Sequence, residues 1–103
     1  MDIDQVACSI IANAGDSKSD SFAAIEAAQQ GEFEKAENLL KTAMDKLLAA
    51  HEAHTEILFA EANEEKMDMK FILIHASNHL SVSEISREFA EVIVNLYREV
   101  KKK

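Results

Sequence analysis

From Phe71 onward, apolar residues recur at alternating steps of four and three: Phe71, His75, Asn78, Val82, Ile85, Phe89, Val92 and Leu96. This is the spacing of a coiled-coil-like seam on one long helix, apolar throughout except at His75 and Asn78. A second stripe beside it holds Ile72, Ala76, His79, Ser83, Ser86, Ala90, Ile93 and Tyr97. Its small members permit close approach of another helix. A buried polar group left unpaired costs about 1–3 kcal/mol. His75 and Asn78 must therefore find partners, meet solvent at a cleft, or do chemistry.

The chain before this helix is also helical in pattern. Asp2 or Asp4 can cap a first helix with Ile3, Val6, Ile10 and Ala14 on one side. Gly15 and the polar run Asp16-Ser17-Lys18-Ser19-Asp20-Ser21 interrupt the apolar pattern, which resumes with Phe22, Ile25 and Ala28. A lone glycine costs only about 1 kcal/mol inside a helix, so the expectation is one helix to about Gln30, kinked or polar near Gly15, rather than two short ones. Gln30-Gly31-Glu32 reads as a turn, with Gly31 suited to a left-handed helix end. A second helix follows from Phe33 to about Ala62, with Ala36, Leu40, Ala43, Leu47, Ala50, His54 and Ile57 as its seam and Met44, Leu48, His51, Thr55 and Leu58 beside it. Residues 63–68 are mostly polar, end the apolar pattern and read as a loop. Asp68 is the expected cap of the third helix, which runs from about Met69 to Lys101.

Composition fits this pattern. The 103 residues include no proline and only Gly15 and Gly31 as glycines, and 48% are apolar. The predicted architecture is all-α, a single domain over residues 1–103: an antiparallel three-helix bundle whose helices of about 30 residues each span roughly 45 Å. So thin a bundle has little interior. The third helix carries apolar or small residues over more than one face, which predicts self-association that buries a second seam.

With 11 basic and 19 acidic residues the net charge is −8, which argues against nucleic acid as a partner. The Lys101-Lys102-Lys103 run suits a helix C-terminus. No stretch reads as a signal peptide or a membrane span, and the single cysteine, Cys8, is expected to be a buried small residue with no disulfide partner. The expectation is a cytoplasmic protein without membrane insertion.

Four histidines, His51, His54, His75 and His79, are the side chains suited to nucleophilic or acid–base work at neutral pH. The first pair lies late in the second helix and the second pair early in the third, so an antiparallel turn places all four near one level of the bundle. Periodicity leaves three uses open. One is a zinc pair at i and i+4, although His75 and His79 fall on different stripes and no carboxylate sits suitably between them. The others are a nucleophile, or histidines satisfied within a core or interface.

The segment Leu73-Ile74-His75-Ala76-Ser77-Asn78-His79-Leu80 resembles the signature V-H-A/G/S-Q-D-H-L-M of the lactose/cellobiose-type IIA proteins of the bacterial sugar phosphotransferase system. Asn13-Ala14-Gly15-Asp16-Ser17-Lys18-Ser19 is similar to that family's G-x-A-R-S region. Residues 27–36 resemble its A-K-x-G-D/N-F-x-x-A turn, and Ala50-His51-Glu52-Ala53-His54-Thr55 resembles A-H-x-x-Q-T. The motifs are collinear over nearly the whole chain. The resemblance implies a homotrimer of long three-helix subunits and a phosphoryl relay. In that relay His75 accepts a phosphoryl group on Nε2 from the phosphohistidine carrier protein and passes it to a cysteine of a IIB protein. His79 matches the second motif histidine and is assigned a supporting role, with Ser77 and Ser81 as nearby hydroxyls. A regulatory or interaction paralogue that keeps the trimer without the relay is the alternative.

Where the family has an interface aspartate beside a shared cation, this chain has Asn78. Three carboxylates on a symmetry axis need a cation or a shared proton, whereas three amides can pair with one another. No metal or other cofactor is therefore expected, and the oligomer is expected to assemble without the interface cation. His54 and Ser81 replace a family Gln and Met and make the region more polar. The face around His75 is the expected docking region, and the acidic charge favours a basic patch on the partner.

Overall fold

The computed structural model describes residues 1–63, 66 and 69–102. Three helices, α1 (Ile3–Gln29), α2 (Phe33–Ala62) and α3 (Phe71–Lys101), form an up-down-up bundle measuring 58 × 19 × 17 Å. Among the described residues there is no strand. The first helix packs along both others, whereas α2 and α3 meet much less.

Local chemistry sets the helix ends. The Asp2 carboxylate accepts from the Gln5 backbone N–H at 3.1 Å, capping α1. At its other end the Gly31 N–H donates to Ala28 O and the Glu32 N–H to Ala27 O, with Gly31 at φ +79°. These paired bonds satisfy the last carbonyls of α1 and need a residue that enters the left-handed region freely. Helix α3 begins at Phe71, two residues later than the apolar pattern suggests. Lys70 stands extended before it, and its ammonium reaches Asp4 Oδ1 at 3.0 Å at the start of α1. Asp68, the cap expected from the sequence, lies outside the described residues.

Helix α1 runs unbroken through Gly15 and the polar run after it. Ser17 and Ser21 are buried there. Ser17 Oγ donates to Ala43 O on α2 at 2.7 Å, and Ser21 Oγ donates to Ser17 O at 2.8 Å. Ser83 on α3 is equally buried, its hydroxyl 2.7 Å from Ala14 O and 2.8 Å from His79 O. These hydroxyls form a polar waist between two apolar clusters. One joins Ile10, Leu47, Ile57, Leu73 and Leu80; the other joins Ala24, Ala28, Leu40, Ala90 and Val94. Small side chains at the waist let the helices approach closely while no buried polar side-chain atom lacks a partner among the described residues.

The face of α3 that packs on its own subunit carries Leu73, Ala76, Leu80, Ser83, Ala90 and Val94. The seam read first in the sequence points outward. Phe71, Ile85, Phe89, Val92 and Leu96 are each more than half exposed, Val82 is exposed, and so are His75 and Asn78. On α2, the seam from Ala36 to Ile57 is buried as expected apart from the half-buried His54. Cys8, expected to be buried, is exposed. It stands next to the core-facing Ala7 and so turns outward on α1.

Candidate functional site

His75 and His79 stand one turn apart on α3, where i and i+4 side chains lie over one another. Their Nε2 atoms are 3.0 Å apart, and the rings meet edge to face with centroids 4.4 Å apart. The two stripes to which the sequence assigns them adjoin, and the long reach of imidazole closes the gap. An Nε2–Nε2 contact of this length holds one proton between two ring nitrogens, so one ring donates and the other offers a lone pair. His75 is exposed and His79 is half-buried. The pair thus presents one accessible ring backed by a second that is partly fixed by packing.

The other two histidines bridge α2 and α3. His54 Nε2 lies 3.3 Å from Ser77 Oγ, and His51 Nε2 lies 3.4 Å from Glu84 Oε2. All four therefore sit near one level of the bundle, as the antiparallel turn requires, but in two groups. Ser77 and Glu84 face α2, whereas His75 and His79 lie on the other side of α3. The His51–Glu84 pair is exposed on both sides and contributes at most a few tenths of a kcal/mol to about 1 kcal/mol. The hydroxyls assigned near the histidines have other uses: Ser77 partners His54, and Ser81 Oγ donates to Ser77 O at 3.2 Å.

Asn78 lies in the exposed seam beside His75. It is a neutral amide, able to donate and accept, with no charge to offer a cation. Among the described residues, no three His, Cys, Asp or Glu side chains come together in an arrangement suited to a metal ion. Also among the described residues, no helix is long and apolar enough to cross a membrane.

Between α1 and α3, next to the histidine pair, a cavity of about 500 Å³ is lined by Gly15, Lys18, Ser19, Phe22 and His79, with Glu26 at its far end. Periodicity along one helix does not mark it, because its walls come from two helices.

The sequence and the fold have known counterparts. The sequence model of the family described as the lactose/cellobiose specific IIA subunit of the phosphotransferase system matches residues 5–98. The N,N'-diacetylchitobiose-specific EIIA component of Escherichia coli (strain K12) is 30% identical over 100 residues, covering 97% of this chain and 86% of that protein. The crystal structure of the cellobiose-specific enzyme IIA from Bacillus anthracis superposes with a TM-score of 0.96 at 29% identity, covering 100% of this chain and 94% of that one. The IIA(chitobiose) chain solved in solution in complex with HPr, from the N,N'-diacetylchitobiose branch of the Escherichia coli system, superposes with a TM-score of 0.85 at 30% identity, covering 98% of each chain. A match of the family model to most of the chain, with relatives aligned nearly end to end, establishes the membership: the chain belongs to the lactose/cellobiose-specific IIA subunits of the sugar phosphotransferase system.

Proposed function

We propose that this phosphocarrier of a sugar import system works through His75, whose Nε2 takes a phosphoryl group from an HPr-type phosphohistidine carrier and gives it to the cysteine of a IIB partner. The observation that carries the reading is the His75–His79 contact at 3.0 Å on an exposed helix face. If His79 Nε2–H donates, the His75 Nε2 lone pair is the acceptor and the remaining His75 proton sits on Nδ1. That tautomer is the nucleophilic one.

In the transfer, the His75 Nε2 lone pair bonds to phosphorus as the donor's N–P bond breaks and its electron pair returns to the donor ring. Each ring keeps the proton on its other nitrogen, so no net proton is exchanged. Such a transfer asks the protein for positioning and for charge stabilisation on three phosphoryl oxygens. Once phosphorus occupies Nε2, the His79 N–H is released from the lone pair and can donate to a phosphoryl oxygen. The onward step is the same displacement with a thiolate as nucleophile and the His75 ring as leaving group.

The exposed α3 seam from Asn78 to Leu96 is read as the subunit interface of a homotrimer, which leaves His75 open to a partner at its N-terminal edge. A contiguous apolar face of this length is unusual on a monomer, and β-branched Ile85 and Val92 at alternate seam positions disfavour a two-stranded coil. The interface cation of the family does not fit the amide of Asn78, so no step or contact is assigned to a metal. The soluble, acidic subunit is placed in the cytoplasm. Nothing favours a regulatory paralogue without the relay, since both histidines are present and in contact.

The test is incubation with phosphoenolpyruvate, enzyme I and the phosphohistidine carrier, followed by intact mass. An acid-labile phosphoryl adduct on the wild type that is absent from His75→Gln supports the reading. No adduct on the wild type, or one that persists in His75→Gln, contradicts it.

A further inference from the structure

We propose that the cavity between α1 and α3 seats the phosphoryl group carried by His75, with Lys18 as the cation that balances its charge. The proposal rests on the assignment of His75 as phosphoryl acceptor. A phosphorus atom on His75 Nε2 lies along the lone pair now occupied by His79 Nε2 at 3.0 Å. Both cannot stay in that direction, so the phosphoryl oxygens must enter whatever open volume adjoins the two rings. His79 forms a wall of the 500 Å³ cavity.

Gly15 borders that volume. A Cβ built on Gly15 would meet nothing within 4 Å, so no packing within the subunit accounts for a glycine in mid-helix. Parallel packing of α1 and α3 puts the Gly15 end of the cavity next to His79, because Ser83, one turn beyond His79, bonds to Ala14 O.

Charge points the same way. The phosphoryl group adds up to two negative charges to a chain already at −8. The nearby α1 carboxylates turn toward α2: Asp16 Oδ2 lies 3.9 Å from Lys46 Nζ, and Asp20 Oδ2 accepts from Thr42 Oγ1 at 3.1 Å. Lys18 makes no ion pair among the described residues and lines the cavity with Ser19, while Glu26 lies two turns further along α1. An exposed ammonium that lines the same cavity as a hydroxyl and an imidazole supplies charge and donors for three phosphoryl oxygens.

The experiment compares Lys18→Gln and Lys18→Arg with the wild type and His75→Gln. It follows the rate of phosphoryl acceptance from the phosphorylated carrier, the equilibrium between the two proteins, and the phosphorus NMR shift of the adduct. Lys18→Gln is expected to slow acceptance about tenfold, to shift the equilibrium toward the donor and to move the resonance, with Lys18→Arg restoring all three to within about threefold. Sedimentation is expected to give the same assembly for every variant. An adduct confined to His75 that forms equally fast in Lys18→Gln overturns this proposal alone, as does a loss that Lys18→Arg shares. An adduct that survives His75→Gln overturns the acceptor assignment and this proposal together.

Discussion

His79 Nε2 lies 3.0 Å from His75 Nε2 across one turn of α3, the two rings perpendicular. The half-buried ring thereby acts on the exposed one before any partner arrives. In the proposed relay it selects the His75 tautomer in the resting state and supplies a donor to the phosphoryl group afterwards. His79→Ala is expected to lower the rate of phosphoryl acceptance about 100-fold without abolishing the adduct, the usual scale for losing one positioned donor. His79→Gln, whose amide N–H reaches over a similar distance, is expected to recover much of it. Rapid-quench phosphotransfer kinetics measure both, and equal rates for wild type and His79→Ala would remove His79 from the mechanism.

The proposed trimer interface on the outward seam has a direct consequence for assembly. Burying a large apolar side chain contributes about 1.5–3 kcal/mol, and Ile85 and Phe89 sit at 54% and 64% exposure in the middle of the stripe. The double change Ile85→Asp and Phe89→Asp is expected to give a helical monomer by sedimentation and circular dichroism. Core residues such as Leu80 lie on a different face, so helicity should survive. A variant that still sediments as the wild type would place the interface elsewhere.

Asn78 occupies that same stripe. Sedimentation of the wild type is expected to be unchanged by a chelator, because in the proposed trimer three Asn78 amides would meet without needing a counter-ion. Asn78→Asp is expected to make assembly depend on an added divalent cation. Dissociation of the wild type by chelator would contradict the reading of this position.

The two glycines should respond in opposite directions. Gly15 is helical, and its Cβ would meet nothing, so Gly15→Ala is expected to stabilise the subunit by about 0.5–1 kcal/mol. Gly31 sits at φ +79°, so Gly31→Ala is expected to destabilise by about 1 kcal/mol. Urea denaturation of both variants checks the signs.

Much of this fold is legible in the chain because its signals are local. Gly31 stops α1, the alanine–leucine seam of α2 is buried as its period requires, and the long repeat of α3 is helical along its length. The facing of α3 was not legible, since two adjoining apolar stripes on one helix look alike until one of them is covered by α1. The buried waist was hidden for another reason. Ser17, Ser21 and Ser83 read as polar interruptions, yet a short hydroxyl can donate to a carbonyl of its own or a neighbouring helix and then be buried at little cost. His75 and Asn78 stood out as breaks in the seam. The His75–His79 contact depends on side-chain reach, and the cavity beside it on the pairing of two helices, neither of which periodicity registers.

The most direct test of the account is nitrogen-resolved NMR of histidine-labelled protein after phosphorylation by the carrier. Phosphorus bonded to Nε2 of His75 is expected, with a ring N–H of His79 protected from solvent beside it. Phosphorus on Nδ1, or on His51, His54 or His79, would contradict it.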